Sequence, residues 1–155
     1  MKVYVAYGSN LDTEQMAWRC PKAKIISSGM LEGWELIYRR SYSGAYATIR
    51  KAPGKYVPVG LWKISAADER ALDRYEGFPT FYQKHTVEVL VDGGKKVTGM
   101  VYIMRPDAVP GYPTERYIDT IYRGYQDFGL DGRFLMDSLR LNQYEMGQRQ
   151  TKKRR

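Results

Sequence analysis

Two stretches of this chain carry residue types that could do chemistry. The first is Tyr7-Gly8-Ser9-Asn10-Leu11, which directly follows the apolar run Val3-Tyr4-Val5-Ala6. A short strand entering a turn at a glycine lets a ligand approach the main chain and permits backbone shapes that a Cβ forbids. Ser9 and Asn10 add side-chain hydrogen bonds, and free N–H groups at a turn or helix start attract an anion such as a carboxylate. Alone, the Gly-Ser-Asn triplet is a common turn. The second stretch ends at Glu76, four residues after Leu72, in the last turn of an expected helix. There the negative end of the helix dipole and partial burial both disfavour the charged carboxylate. A carboxyl moved towards neutrality in this way suits a base that must later act as an acid. Gly77-Phe78-Pro79 then turns the chain towards Phe81-Tyr82, so the carboxyl would face a pocket wall. The pattern leaves two other roles open: an exposed glutamate at a frayed helix end, or an ion-pair partner for Arg74 or Lys84. Glu69 and Asp73 fall on the polar face and read as solvated.

The elements that must position these residues begin with strands. Lys2–Ala6, Lys24–Met30, Trp34–Arg39, Ala45–Arg50, Tyr56–Ile64, Tyr82–Val91 and Lys96–Met104 are rich in Val, Ile, Tyr and Trp and are separated by Gly, Pro or charged breaks. Asp92-Gly93-Gly94 forms a hairpin turn, and Pro58 marks a bulge or an edge. Asp12, with Gln15 three residues on, opens a short helix through Arg19 that Pro21 closes. Ser65 caps a helix over Ala66–Glu76, with an apolar stripe of Ala67, Ala71, Leu72 and Tyr75 and Gly77 as its stop. A third helix spans Thr114–Asp127 on Tyr117, Ile118, Ile121, Tyr122, Tyr125 and Phe128 and ends at Gly129. A fourth runs from Asp131 to about Tyr144. The expectation is a single α+β domain over residues 1–145 with a closed or partly closed sheet, followed by a basic, disordered tail over 146–155.

Composition narrows the chemistry. The chain has 155 residues, enough for one domain with a real core. It contains no apolar run of membrane-spanning length, and its N-terminus is too short in apolar residues for a signal peptide. The expected location is therefore cytoplasmic, with no membrane partner. Cys20 and His85 are the only residues of their kinds, which leaves no disulfide framework and no Cys/His metal site. Any Ser-His-Asp or Cys-His mechanism would have to use His85, and Gln83-Lys84-His85-Thr86 reads as strand surface. Of the net charge of +8, the tail residues Arg149, Lys152, Lys153, Arg154 and Arg155 supply five, leaving +3 for the body. Basicity so concentrated at one end argues against a nucleic-acid-binding face. The fourteen tyrosines fit half-buried strand positions better than base stacking.

Tyr7-Gly8-Ser9-Asn10-Leu11 and Leu72-Asp73-Arg74-Tyr75-Glu76-Gly77, in this order and spacing, resemble the γ-glutamylcyclotransferase-like family, which includes γ-glutamylamine cyclotransferases and AIG2-like proteins. Arg19-Cys20-Pro21 with Ala23, Ala47-Thr48-Ile49, Val59-Gly60-Leu61-Trp62, Gly99–Met104 and Pro113–Tyr117 extend the resemblance over about residues 3–130. The C-terminal pieces are closer to the γ-glutamylcyclotransferase branch than to the shorter γ-glutamylamine branch.

This resemblance implies a small mixed β-barrel with helices packed around it and a cleft where the loop meets Glu76. The implied reaction is intramolecular: the α-amine of a γ-glutamyl group attacks its own δ-carbonyl, 5-oxoproline closes, and the attached amine leaves. The nucleophile belongs to the substrate, so the protein must fold it and move protons. One carboxylate, Glu76, would do both transfers without metal or cofactor. The backbone of Gly8, Ser9, Asn10 and Leu11 would hold the α-carboxylate or the oxyanion. Tyr7, Tyr82, Tyr102 and Tyr117 would line the pocket with hydroxyls available to the substrate, although Tyr102 and Tyr117 also fit as core residues. Phe78-Pro79-Thr80-Phe81 is more apolar than the family pattern, which leaves open a γ-glutamyl amine or a γ-glutamyl-protected natural product. A non-catalytic accessory domain of the same fold is the reading from another class, and the intact loop with Glu76 counts against it. The expected partner is a small molecule, and a homodimer is a compatible assembly.

Overall fold

The structure, a computed structural model, describes residues 1–154. Five strands form a closed barrel in the order β1-β3-β2-β4-β5. They are β1 (Lys2–Ala6), β2 (Lys24–Arg40), β3 (Ala45–Ile64), β4 (Tyr82–Leu90) and β5 (Lys96–Met104). Neighbours run antiparallel except β1 and β5, whose parallel contact at Tyr4 and Met100 closes the barrel. Closure removes the free edges that an open sheet would present. The interior is filled by inward-facing Val5, Leu31, Val57, Val59, Leu61, Val89 and Val101, all nearly inaccessible to solvent.

The strands are fewer and longer than the sequence suggests. The breaks at Leu31-Glu32-Gly33 and Lys51–Lys55 do not end β2 or β3. Pairing passes from Glu32↔Tyr56 to Trp34↔Lys51, so four residues of β3 bulge opposite one of β2. Proline and glycine there displace the ladder locally, and pairing resumes beyond them. Pro58 pairs with Met30 away from both register shifts. Pairing with β1 stops at Gly60, so Pro58 lies where β3 has β2 as its one neighbour.

Four α-helices pack outside: α1 (Thr13–Arg19), α2 (Ala66–Glu76), α3 (Glu115–Phe128) and α4 (Gly132–Arg154). Asp12 caps α1 by accepting from the Glu14 N–H, not through Gln15. Ser65 and Asp68 form a reciprocal capping box at the start of α2. Thr114 accepts from the Tyr117 N–H at 3.1 Å at the start of α3. The apolar stripes are narrower than expected. Ala67 and Tyr122 are exposed, while Thr120 and Gly124 of α3 are buried. A Cβ on Gly124 would lie 2.4 Å from Leu11 Cβ, so this glycine is what lets α3 lie directly against the loop after β1. Two further contacts hold that packing: Arg123 donates to Asp12 (3.2 Å), and Thr13 Oγ1 donates to Asp127 (2.9 Å).

Residues 146–154 were expected as a disordered tail, but their backbone continues α4. Gln, Arg and Lys favour helix, and no proline interrupts them; Arg155 lies outside the described residues. Glu145 fixes α4 to the barrel through a two-pronged ion pair with Arg39 (both contacts 3.1 Å) and a bond from Arg50 (3.1 Å). Among the described residues no helix is long and apolar enough to cross a membrane.

Candidate active site

A cleft of about 420 Å³ opens at one end of the barrel, where the loop after β1 meets the C-terminus of α2. That volume suits a small metabolite rather than a macromolecule. Tyr4, Tyr7, Gly8, Ser9 and Asn10 line one side, and Tyr75, Glu76, Gly77 and Phe81 face them. Tyr82, Tyr102 and Tyr117 complete the wall. Of the residues singled out from sequence, only Leu11 lies elsewhere. It is fully buried against α3, and its N–H is occupied by Gly8 O at 3.0 Å.

The loop is tighter than a simple turn. Ser9–Leu11 form one turn of 3-10 helix, in which the Asp12 N–H returns to Ser9 O. Among the described residues the N–H groups of Gly8, Ser9 and Asn10 take no partner, and these three amides can meet an anion. Gly8 has φ −124°, so the glycine supplies bare backbone at the cleft wall and not a left-handed turn. The Ser9 and Asn10 side chains do not reach for a ligand as expected. Ser9 Oγ pairs with Tyr75 Oη (3.0 Å), and the Asn10 amide bridges Arg19 and Tyr4 Oη. Trp62 Nε1 also donates to Asn10 O (3.0 Å), which fixes the loop to β3.

Glu76 is the last residue of α2. Gly77 follows at φ 66°, and the Phe78 N–H returns to Asp73 O, so the helix ends in the left-handed cap that glycine favours. Glu76 makes no ion pair or side-chain hydrogen bond among the described residues. Lys84, one proposed partner, instead pairs with Glu69 (2.6 Å) and Asp73 (2.9 Å). Burial pushes the Glu76 carboxyl up to about 8, against the opposing pull of the Arg19 charge.

Glu69 and Asp73 are not the solvated acids that their helical positions suggest. Glu69 accepts from Lys2 and Lys84, which hold it below its ordinary pKa, and Asp73 accepts from Tyr102 Oη at 2.6 Å. These contacts tie α2 to β1, β4 and β5 and so fix the helix end that carries Glu76.

The tyrosine hydroxyls differ from the expectation of free groups, because each has a protein partner. Tyr7 donates to Tyr102 O (2.6 Å), Tyr82 donates to Ala47 O (2.8 Å) and Tyr102 donates to Asp73. With their protons committed, these three oxygens can only accept from a ligand. Tyr117 Oη instead accepts from the Ala47 N–H (3.0 Å), and Tyr4 Oη accepts from Asn10 Nδ2 (2.9 Å). Both keep a proton to donate. Burial holds the hydroxyls of Tyr4, Tyr7, Tyr82 and Tyr117 well above the ordinary tyrosine value, so they stay protonated.

Several contributors were not evident in the sequence. Tyr4 reads as an ordinary strand residue, Tyr75 as part of a helix stripe, and Arg19 as the polar end of a short helix. The β2–β3 connection, Ser41-Tyr42-Ser43, overhangs the mouth with Tyr46, and Arg74 lies at the rim. Adjacency of Tyr75 to Glu76 was the one available signal. His85 is exposed on β4 outside the cleft, as its strand pattern suggests. Cys20 is buried, and burial pushes its thiol up to about 11, so it is no nucleophile at neutral pH.

Against known proteins, a family model described as gamma-glutamyl cyclotransferase, AIG2-like, matches residues 4–121. Gamma-glutamylcyclotransferase from Bos taurus is 30% identical over 154 residues, covering 92% of this chain and 81% of the relative. The Homo sapiens protein of the same name is 31% identical over 137 residues, covering 83% and 72% respectively. A solved structure named gamma-glutamyl cyclotransferase superposes with a TM-score of 0.78 at 29% identity, over 88% of this chain and 85% of that one.

Proposed function

Since this chain belongs to the gamma-glutamyl cyclotransferase, AIG2-like family, we propose that it converts a γ-glutamyl amino acid or amine to 5-oxoproline and the free amine, with Glu76 moving the protons. The observation that carries this reading is an unpaired carboxyl, raised to about 8, facing three free amides across a cleft.

The substrate's α-carboxylate is held by the Gly8, Ser9 and Asn10 amides, with Tyr117 or Tyr4 as a further donor. Its ammonium group lies among acceptors: the Tyr7 and Tyr82 oxygens and the Glu76 carboxylate. Glu76 takes a proton from the ammonium, and the freed amine attacks the δ-carbonyl to form the five-membered ring. Charge gathers on the carbonyl oxygen, where whichever of the Tyr4 and Tyr117 hydroxyls does not hold the α-carboxylate donates to it. Glu76 then returns its proton to the departing nitrogen as the C–N bond breaks, and it carries over the second proton that the ring nitrogen must shed, so the amine leaves in its ammonium form. The proton count balances with no added reactant, and the cleft contributes by holding an extended chain in a cyclisable shape.

A cytoplasmic enzyme acting on a small molecule is the setting that fits this chemistry. The test is incubation with γ-glutamyl-alanine, γ-glutamyl-ε-lysine and a simple γ-glutamyl amine, with 5-oxoproline detected, alongside Glu76→Gln. Release by the wild type and loss in the variant are expected. Folded wild-type protein that yields no 5-oxoproline from any of the three overturns the proposal.

A further inference from the structure

Arg19 closes α1, and its guanidinium is engaged on three sides. Its Cζ lies 3.4 Å from the centroid of the Tyr75 ring. One amino group donates to Asn10 Oδ1, and the other donates to Gln15 Oε1 at 3.2 Å, one helical turn earlier. Asn10 belongs to the loop after β1, and Tyr75 immediately precedes Glu76. Tyr75 Oη meets Ser9 Oγ at 3.0 Å, which closes a ring of contacts from Arg19 through Asn10 and Ser9 to Tyr75 and back. The two sides of the cleft are therefore joined through one side chain.

Arg19 does not itself line the cleft, whereas Tyr75 does, so the aromatic ring stands between the guanidinium and any bound molecule. Its partners are two amide oxygens and an aromatic face, none of which cancels its charge. The other groups facing Glu76 supply little competing charge. Tyr4 of β1, Tyr7 just after it, Tyr82 of β4, Tyr102 of β5 and Tyr117 of α3 are held protonated by burial. Asp73 and Lys84 neutralise each other, and Arg74 sits on the exposed rim.

We propose that Arg19 is a positioning residue: it clamps the Ser9–Asn10 loop to the Tyr75–Glu76 end of α2 and holds an uncancelled cation behind the cleft wall, where it acts on Glu76 without touching the substrate. This rests on Glu76 being the proton carrier. Arginine is specified over lysine because its flat fork stacks on Tyr75 while reaching two amide oxygens, and an ammonium cannot do both. The charge favours the carboxylate form of Glu76, which is the form that accepts the proton.

The experiment compares wild type, Arg19→Lys and Arg19→Gln by two readouts. The first is the Glu76 carboxyl titration followed by carbon NMR, which needs no substrate. The second is the pH dependence of kcat and KM for 5-oxoproline release from γ-glutamyl-alanine. Loss of the charge in Arg19→Gln is expected to raise the Glu76 midpoint, and the acid limb of kcat/KM with it, by about one pH unit. That corresponds to roughly tenfold lower kcat/KM at pH 7. Arg19→Lys is expected to keep the midpoint and lose several-fold in kcat through the loosened clamp. An unmoved midpoint in folded Arg19→Gln overturns the electrostatic role, and wild-type kcat in Arg19→Lys overturns the clamp. If Arg19→Gln does not fold, Arg19→Lys decides: a midpoint displaced as far as about one unit despite the retained charge refutes the proposal. A wild type that makes no 5-oxoproline would sink the enzymatic reading alone, because the NMR titration still reports on Arg19.

Discussion

The sharpest consequence of the half-buried, unpaired Glu76 is a pH profile. An ordinary glutamate side chain titrates near about 4.3 and an α-amine near about 7.7–8.0. Moving a proton from such an amine to such a carboxylate is uphill by roughly 3.5 units, or about 5 kcal/mol at 1.36 kcal/mol per unit. With Glu76 raised to about 8 by burial, the same transfer is close to thermoneutral. The cost reappears as a requirement on pH, because only the carboxylate form accepts the proton. About 1% of Glu76 is carboxylate at pH 6 and about half at pH 8, where about half of the substrate amine has also lost its proton, so kcat/KM should climb roughly 20-fold between them. Above the pKa of the substrate amine the rate should fall again, since the proton needed by the leaving nitrogen has been lost. Initial rates of 5-oxoproline release at subsaturating γ-glutamyl-alanine, from pH 6 to 9 at constant ionic strength, measure this directly. Glu76→Gln should lose about 10²–10⁴-fold and with it the acid limb. A flat profile between pH 6 and 8, or the same limb surviving in Glu76→Gln, would refute the reasoning.

The same carboxyl has a stability signature. A raised folded-state pKa favours folding below the unfolded value, and that advantage is lost as pH rises through about 8. Glu76→Gln should therefore raise Tm relative to wild type more at pH 8.5 than at pH 4.5, at roughly 2–4 °C per kcal/mol for a domain of this size. Glu145 works in the opposite direction: burial would raise its pKa, but Arg39 and Arg50 outweigh it and hold it low. Its contribution is present above the ordinary carboxylate pKa and fades as pH falls through the lowered value. Glu145→Gln should cost about 3 kcal/mol in urea unfolding at pH 7, by leaving Arg39 buried without its partner. Gly124→Ala would place a methyl 2.4 Å from Leu11 Cβ and push α3 off the loop. A loss of about 1–3 kcal/mol together with a lower kcat is expected, and unchanged kcat would mean that the loop does not depend on that contact.

The caps, the order of helices and the location of Glu76 were legible because each depends on interactions within a few residues. Ser65 stands directly before Ala66 and Gly77 directly after Glu76, so the start and the stop of that helix are spelled out in the chain. Loop and glutamate could be paired as halves of one site only through the family resemblance, since nothing local says that residue 8 and residue 76 face one another. The strand boundaries were misread where Pro53 and Gly54 suggested an end, because whether a break ends a strand depends on the partner strand. The bulge is absorbed by continued pairing with β2.

Other features belong to the tertiary structure alone. Which tyrosines donate and which accept follows from Tyr7 meeting Tyr102 O, 95 residues away, and from Tyr82 and Tyr117 both meeting Ala47. The roles of Glu69 and Asp73 as anchors follow from lysines brought in by β1 and β4. Arg19 reaches Tyr75 only because α1 and α2 pack beside the same loop. Sequence determines which groups are available and how each element begins and ends, since capping and periodicity act over one or two turns. Hydrogen-bond direction and the shift of a carboxyl are set by what lies within a few ångströms in space, and here those neighbours come from every part of the barrel.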